Sequence, residues 1–372
     1  MKEYKPLSEV RKKLRIKWYR CQIDKDVLRE LTRKNDVKAW FQAGGHLALF
    51  VCTGITTYIC FENNLWIAFS LALFAHGTVG SFFRGLATHE LKHGTVFHSK
   101  ILNKVFLYVF GLLSWHNFHE YAFSHTYHHL YTLHPDGDRE VVLPKEPSLK
   151  WHYLLQLFTF NIFGGLESNG LIPIVKDTFL TALGKSNNEW IGAVYKNHDE
   201  ERVDAIRLAR MIIFFHFSIF ILSIILEMWL LIILLTLFNF TGNGVRYFVG
   251  LPMHCGLRRN VPDFRKCVRT ITLDPISEFL YWRMNWHLEH HMFAGVPCYN
   301  LKKLHQVISD DMPKPRTLYG AWKEMRDTWR KQQVEPGYEF ETPVPVKQRK
   351  NPVYSEDPLS SSIGNLAPKS LA

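Results

Sequence analysis

The sequence predicts an all-α integral membrane protein in which four transmembrane helices form two hairpins and a cytosolic helical cap holds a histidine-rich site for two metal ions. Three observations carry that fold class. Apolar blocks of membrane-spanning length occur in two pairs, Lys and Arg are kept off the tips of both pairs, and three dense histidine clusters lie close to the predicted spans.

The first pair runs from Phe41 to Phe61 and from Leu65 to Phe83, and neither block contains Lys, Arg, Asp or Glu. Each matches the roughly 20 residues needed to cross hydrocarbon. The second pair runs from Ala209 to Leu226 and from Met228 to about Val249, divided by the lone acid Glu227. The tips, "ENN" and Glu227, carry no Lys or Arg, whereas the first forty residues, the loop between the hairpins and the C-terminal third are rich in them. By the positive-inside rule both termini and the long loop are cytosolic. Core helices of a soluble protein would show no such asymmetry. Within the loop, Val105–Trp115 and Trp151–Leu166 are apolar but short or interrupted, and read as interfacial or re-entrant segments.

This divides the chain into a basic cytosolic N-terminal segment (1–40), a membrane and cap domain (41–340) and a Pro- and Ser-rich tail (341–372) with the composition of a disordered segment. Lys and Arg outnumber Asp and Glu by 45 to 34. That excess falls mainly next to the bilayer, where each cation near an anionic leaflet contributes on the order of 1 kcal/mol, and no nucleic-acid-binding motif accompanies it. The 6 cysteines are scattered without a C-x-x-C, which fits a reducing compartment and no thiolate metal site. The charged N-terminus lacks the apolar core of a signal peptide, so the spans themselves direct the chain to its membrane, the endoplasmic reticulum or a bacterial inner membrane.

The histidines, 19 in all, point to the chemistry. His89 and His93 stand in "HELKH", His125, His128 and His129 in "HTYHH", and His287, His290 and His291 in "HLEHH". Spacings of i, i+3 and i+4 share one face of a helix, so each cluster aims two or three imidazoles in one direction. Taken alone, "HELKH" matches the H-E-x-x-H of zinc metalloproteases, with Glu90 as general base. A catalytic zinc needs about three protein ligands, and that reading leaves both H-x-x-H-H clusters idle. A metal sensor without turnover is a further reading of the same clusters. Eight imidazoles suit two ions of intermediate softness, and iron combines imidazole binding with redox and O₂ chemistry.

These boxes resemble those of the membrane fatty acid desaturase and hydroxylase superfamily, whose patterns H-x3-4-H, H-x2-3-H-H and (H/Q)-x2-H-H are met by the three clusters in order. "EHHMFAGVPCYNLKKLH" is similar to that family's E-H-H-x-F-P-x-x-P-x-x-x-L, departing at Ala294, and the resemblance spans roughly Phe41 to His305. It implies a non-haem di-iron oxygenase site on cytosolic helix extensions, fed by an acyl-chain tunnel. It also implies a ninth nitrogen ligand from the end of the fourth span, a place held here by His254. Two irons, O₂ as co-substrate and an external electron donor follow as cofactors. The bilayer, a lipid acyl chain and a separate electron-transfer protein follow as partners, an acidic carrier suiting the basic face.

Other residues read as support. His116 and His119, with His98, His134 and His305, are candidates to orient ligands or a substrate headgroup, as are Asp136, Asp138 and Glu140 in "LHPDGDRE". His46, His76 and His216 fall inside spans, where a neutral imidazole can bond across helices. Beside the other boxes, Glu90 becomes a carboxylate that steadies a ligand. The expected function is desaturation of a lipid acyl chain, with hydroxylation or ketolation of an alkyl or terpenoid chain as the alternative and the zinc protease as a remote one.

Overall fold

The computed structural model describes residues 7–164, 170–186, 189–195 and 199–345. The tail expected from about Glu341 lies outside the described residues from 346 onward, and the Glu341 carboxylate meets Lys266 at 2.6 Å and also Arg258. Two helices, α1 (Asp36–Glu62) and α2 (Trp66–His93), fold back on each other through the Asn63–Asn64 turn. Next come α3 (Lys100–Leu113), α4 (Phe118–Tyr131) and α5 (Leu171–Ala182). The long α6 (Asp199–Ile225) turns at Glu227 into the shorter α7 (Leu230–Phe240). The short α8 (His287–Met292) and the C-terminal α9 (Leu318–Gln332) complete the elements used below. A two-stranded parallel ladder, Ile271–Thr272 with Arg316–Thr317, ties the segment before α8 to the start of α9.

Among the described residues, α1, α2 and α6 are long and apolar enough to cross a bilayer. Their outward faces expose Val51, Ile55, Ile67, Leu71, Phe214 and Ile225, side chains that water would not favour and lipid would. The inward faces carry the intramembrane histidines. His76 contacts Thr53 Oγ1 (3.0 Å) and the Leu234 carbonyl (2.9 Å), and His46 contacts the Val79 carbonyl (3.0 Å) and accepts from the Trp282 indole (2.9 Å). His216 meets Thr236 Oγ1 at 3.2 Å. All three join one helix to another segment, which is the structural role a neutral imidazole fills in an apolar interior.

The block from Met228 to Val249, expected as one span, is instead broken. α7 widens over Ile233–Leu237, tightens over Phe238–Phe240 and ends there, Gly242 turns the chain at φ +66, and a second short helix, Gly244–Gly250, leads to His254. Close packing against α2 causes the break. A Cβ on Gly242 would lie 2.7 Å from the Phe74 carbonyl oxygen, and one on Gly77 would lie 1.9 Å from Thr241 Oγ1. Backbone groups freed by unwinding must find partners away from water. The Phe240 carbonyl accepts from Asn161 N–H (2.7 Å), the Gly242 carbonyl from Thr78 Oγ1 (3.1 Å), and the Asn239 carbonyl from Asn243 Nδ2 (2.8 Å). The Trp151–Leu166 segment, read from sequence as re-entrant, thus supplies part of that pairing through Phe160 and Asn161.

Gly242→Ala is therefore expected to cost about 2 kcal/mol or more, since it adds both positive-φ strain and a clash with backbone. Gly184→Asn serves as the control, because Gly184 also has positive φ but its Cβ would meet only Ile206 Cδ1 at 3.6 Å. Thermal melts of the detergent-solubilised chain check this; equal melting temperatures for the two variants would contradict it.

Candidate metal centre

Four parts of the chain deliver the imidazoles. α2 bends at Arg84 (ψ 116) and Gly85 (φ 76), and its last turn, capped by Gly94 at φ 68, presents His89 and His93. α4 presents His125, His128 and His129 from one face, α8 presents His287, His290 and His291, and His254 follows the helix after the α7 break.

These nine residues, the set read from sequence, come together in two groups able to hold a metal. His89, His93, His125, His129 and His290 form one, and His128, His254, His287 and His291 the other. Nε2 atoms face each other at 2.7 Å for His89 and His125, 3.3 Å for His89 and His93, and 3.2 Å for His129 and His290. In the second group the separations are 3.0 Å for His254 and His287 and 3.2 Å for His287 and His291.

What each ring does with its other nitrogen fixes the chemistry. Nδ1 of His89 bonds to Glu90 (2.8 Å), that of His125 to Glu140 (3.0 Å) and that of His128 to Asp138 (2.9 Å). His254 Nδ1–H donates to the Cys267 carbonyl (3.0 Å). Thr132 donates its hydroxyl to the His128 carbonyl (2.6 Å), so it accepts from His291 Nδ1–H (3.1 Å). With the proton placed on Nδ1, Nε2 is left as a bare lone pair. Lone pairs meeting at about 3 Å repel unless a cation lies between them, and a donor set of neutral imidazoles with buried carboxylates behind it fits a transition metal such as iron. Burial also holds His125, His129, His254, His290 and His291 well below the usual histidine pKa, helped by the neighbouring rings, and His287 to about 3. The rings therefore stay neutral, the ligating form. His128 alone is raised, because Asp138 and Glu140 outweigh its burial.

The proposed supporting residues divide. Asp138 and Glu140 hold ligand-group histidines, while Asp136 is exposed and holds none. His305 reaches the third box indirectly, its Nδ1 lying 2.5 Å from Glu289, which also accepts from Thr270 (2.6 Å). His116, His119, His98 and His134 join neither group. His98 pairs with Asp36 (3.3 Å) and His134 packs edge-on against Trp18. Thr132 and the Cys267 carbonyl were not foreseen: a hydroxyl one turn after His128 and a main-chain oxygen carry no signature in the sequence. Nor was Tyr121, which stacks on His125 with ring centres 5.0 Å apart. The basic N-terminal segment also contributes, since Trp18 Nε1 donates to the Leu130 carbonyl (3.0 Å) and Arg20 bonds the Met292 carbonyl, each next to a ligand-group histidine.

A cavity of about 230 Å³ opens onto His89 and His125 of one group and His128, His254 and His287 of the other. The cavity thus touches both groups of imidazoles. The Fatty acid desaturase family model matches residues 64–323, a stretch containing all nine histidines. The chain belongs to the fatty acid desaturase family. No curated protein matches it. Family membership makes the chain an oxidoreductase of the desaturase or hydroxylase kind, and with the three long apolar helices it marks a membrane protein.

In this desaturase-family site Asp138 bonds to His128, whereas Glu140 bonds to His125 and lies within reach of His128 as well, so the groups are expected to weaken unequally. Glu140→Ala should lower metal affinity at the His125 group, and Asp138→Ala at the His128 group, each by about 10–100-fold. Metal released per chain during chelator titration reads this, and equal loss from both groups in either variant would contradict the assignment.

Proposed function

We propose that the protein is a membrane-bound, O₂-dependent di-iron desaturase that introduces a double bond into a lipid acyl chain. The observation that carries this reading is the division of nine converging imidazoles into neighbouring groups of five and four over one shared cavity. His89, His93, His125, His129 and His290 would hold one iron, and His128, His254, His287 and His291 the other. Two bound irons supply the oxidising power to remove hydrogen from unactivated carbon, which zinc lacks. Two adjacent carbons each lose one hydrogen while O₂ is reduced to water, the balance of electrons coming from a separate electron-transfer protein and of protons from solvent. The chain's own residues position and insulate. Glu90, Glu140 and Asp138 keep the protons on Nδ1, Thr132 orients His291, and Tyr121 packs the His125 ring.

Four membrane crossings, with termini and histidines cytosolic, fit this reading. Both hairpin tips lie at the helix ends away from the histidines and lack Lys and Arg, and the broken α7 with its Gly244–Gly250 continuation serves as the fourth crossing. The membrane is the endoplasmic reticulum or a bacterial inner membrane, and the basic cytosolic face suits an acidic electron carrier.

Cells expressing the chain with an electron donor should accumulate lipids two hydrogens lighter, only in the presence of O₂, and the purified protein should hold two irons. His128→Ala should abolish the product. A gain of one oxygen would identify hydroxylation at the same site, and a full lipid survey without any O₂-dependent change in an iron-loaded chain would sink the reading.

A further inference from the structure

Two of the histidine-bearing helices have their ends closed by the same short segment near the start of the chain. A helix leaves its last four carbonyls without intrahelical partners, and in a protein interior other donors must meet them. α4 stops just after its histidines. The His128 carbonyl accepts from Thr132 Oγ1 (2.6 Å) and the Tyr131 carbonyl from His134 N–H (2.6 Å), while the Leu130 carbonyl accepts from Trp18 Nε1–H (3.0 Å). α8 stops one residue after His291, and there the Met292 carbonyl accepts from the Arg20 guanidinium. A strap of four residues, 18–21, thus reaches the C-terminal ends of both helices.

The strap is itself firmly seated. Its backbone bridges to Asp263 in parallel, and in an extended chain alternate residues point to opposite sides. Trp18 and Arg20 meet the helix ends, whereas Tyr19 donates its hydroxyl to Asp311 (2.6 Å) and the Cys21 sulfur lies 3.6 Å from that of Met312. Arg265 covers the Tyr19 ring at 3.7 Å and pairs with Asp311 (2.8 Å). Trp18 stacks on Phe264, ring centres 4.0 Å apart and planes within 8° of parallel. Phe264 in turn packs against His291 (5.7 Å between centres), and three residues further on the Cys267 carbonyl accepts from His254. These contacts gather on the group of four imidazoles: His287 and His291 come from α8, His128 from the last turn of α4, and His254 bonds to the segment under Trp18. α2, which brings His89 and His93 to the other group, is met elsewhere, where Lys34 Nζ donates to the Gly94 carbonyl (2.7 Å). Residues 18–21 lie outside the 64–323 stretch that the family model matches.

We propose that residues 18–21 are a positioning element of one metal site: Trp18 and Arg20 keep α4, α8 and the Phe264 segment at the spacing at which His128, His254, His287 and His291 hold a metal ion. This rests on the two-metal reading of the site and adds to it which part of the chain decides whether one of the metals is retained. Neither side chain lines the cavity that reaches the histidines, so both act through the helix ends. Partners behind the ligands orient them, and losing one weakens metal binding without removing a ligand.

The test is an anaerobic Fe²⁺ titration of the detergent-solubilised full-length protein, with iron per chain counted after gel filtration and Mössbauer spectra taken of the bound iron. The unaltered chain should take up two irons. His254→Ala and the double change His89→Ala with His93→Ala, each crippling one group, supply the reference spectra of the other. Trp18→Ala and Arg20→Ala should each weaken Fe²⁺ binding at one site by about 10–100-fold, and the iron that remains should give the His254→Ala spectrum. Arg20→Lys, which keeps a donor for the Met292 carbonyl, should recover part of the loss. Trp18→Phe keeps a ring on Phe264 but loses the indole N–H, and is the milder variant should Trp18→Ala fail to fold. Asp24→Ala is the structural control: it removes the cap of the next helix, where Asp24 accepts from Asp26 N–H (2.9 Å) and Val27 N–H (3.1 Å), and should lower the melting temperature while both irons stay. Iron held by folded strap variants as tightly as by the unaltered chain, equal weakening at both sites, or the same loss in Asp24→Ala would overturn the positioning role while leaving the two-metal reading intact. An unaltered chain that binds no iron would remove that reading, and this inference with it.

Discussion

Nine largely buried imidazoles aimed at one another are a liability that the rest of the fold is organised to sustain. Where Nδ1 is hydrogen-bonded and holds the proton, as in His89, His125, His128, His254 and His291, the ring turns a lone pair toward its neighbours, and the closest pair, His89 and His125, stands 2.7 Å apart. In low dielectric such facing lone pairs repel strongly, and every buried polar atom without a partner adds its own penalty. His129, His287 and His290 leave Nδ1 without a hydrogen-bond partner in addition. A polypeptide collapsing under its own preferences would turn these rings apart. Cations held by the Nε2 atoms would convert the repulsion into coordination, so the arrangement is coherent as a metal site.

Holding the rings requires constraints that begin far from them. Trp282 and Arg283 both adopt positive φ (53 and 56) just before His287, a conformation costing about 1–3 kcal/mol for each non-glycine residue. α1 sustains that turn. Its His46 accepts from the Trp282 indole, and its Gln42 bonds Arg283 through the side-chain oxygen while its amide nitrogen donates to the Phe279 carbonyl. Thus α1, which carries none of the nine histidines, fixes the approach to α8. α2 and the α7 region do the same for their own ligands, one by bending at Gly85 and the other by unwinding at Gly242, so each apolar segment ends in a redirected cap element rather than a straight extension.

Legibility from sequence follows the range of the forces involved. The three boxes are visible because i, i+3 and i+4 spacing is local, and the hairpins because apolar length and charge asymmetry are properties of single segments. His254 became visible only through the family resemblance, having no cluster of its own. Long-range pairings were hidden: Thr132 with His291 spans 159 positions and the His46–Trp282 bond 236, and no short motif encodes either. The broken α7 was hidden for a related reason, since its composition is that of a span and only the close approach of Gly77 to Thr241 forces it open. Among "LHPDGDRE", composition could not say which acids turn inward. Asp138 does so because its carboxylate also receives the backbone amides of Leu133, Glu140 and Val141, locking the turn around it.

The same spatial argument decides the meaning of "HELKH". A metalloprotease needs its glutamate beside the open coordination position, where it takes a proton from water. Glu90 is instead almost wholly buried, absent from the lining of the cavity that reaches the histidines, and directed at rings: Oε1 is 2.8 Å from His89 Nδ1 and 3.7 Å from His290 Nδ1. His290 comes from the other end of the chain, on α8. The carboxylate thus links the first and third boxes away from the cavity, a place from which it can orient the rings but does not face an open position. Five identical letters specify a base where the helix stands alone over one zinc, and a brace where two further helices close over it.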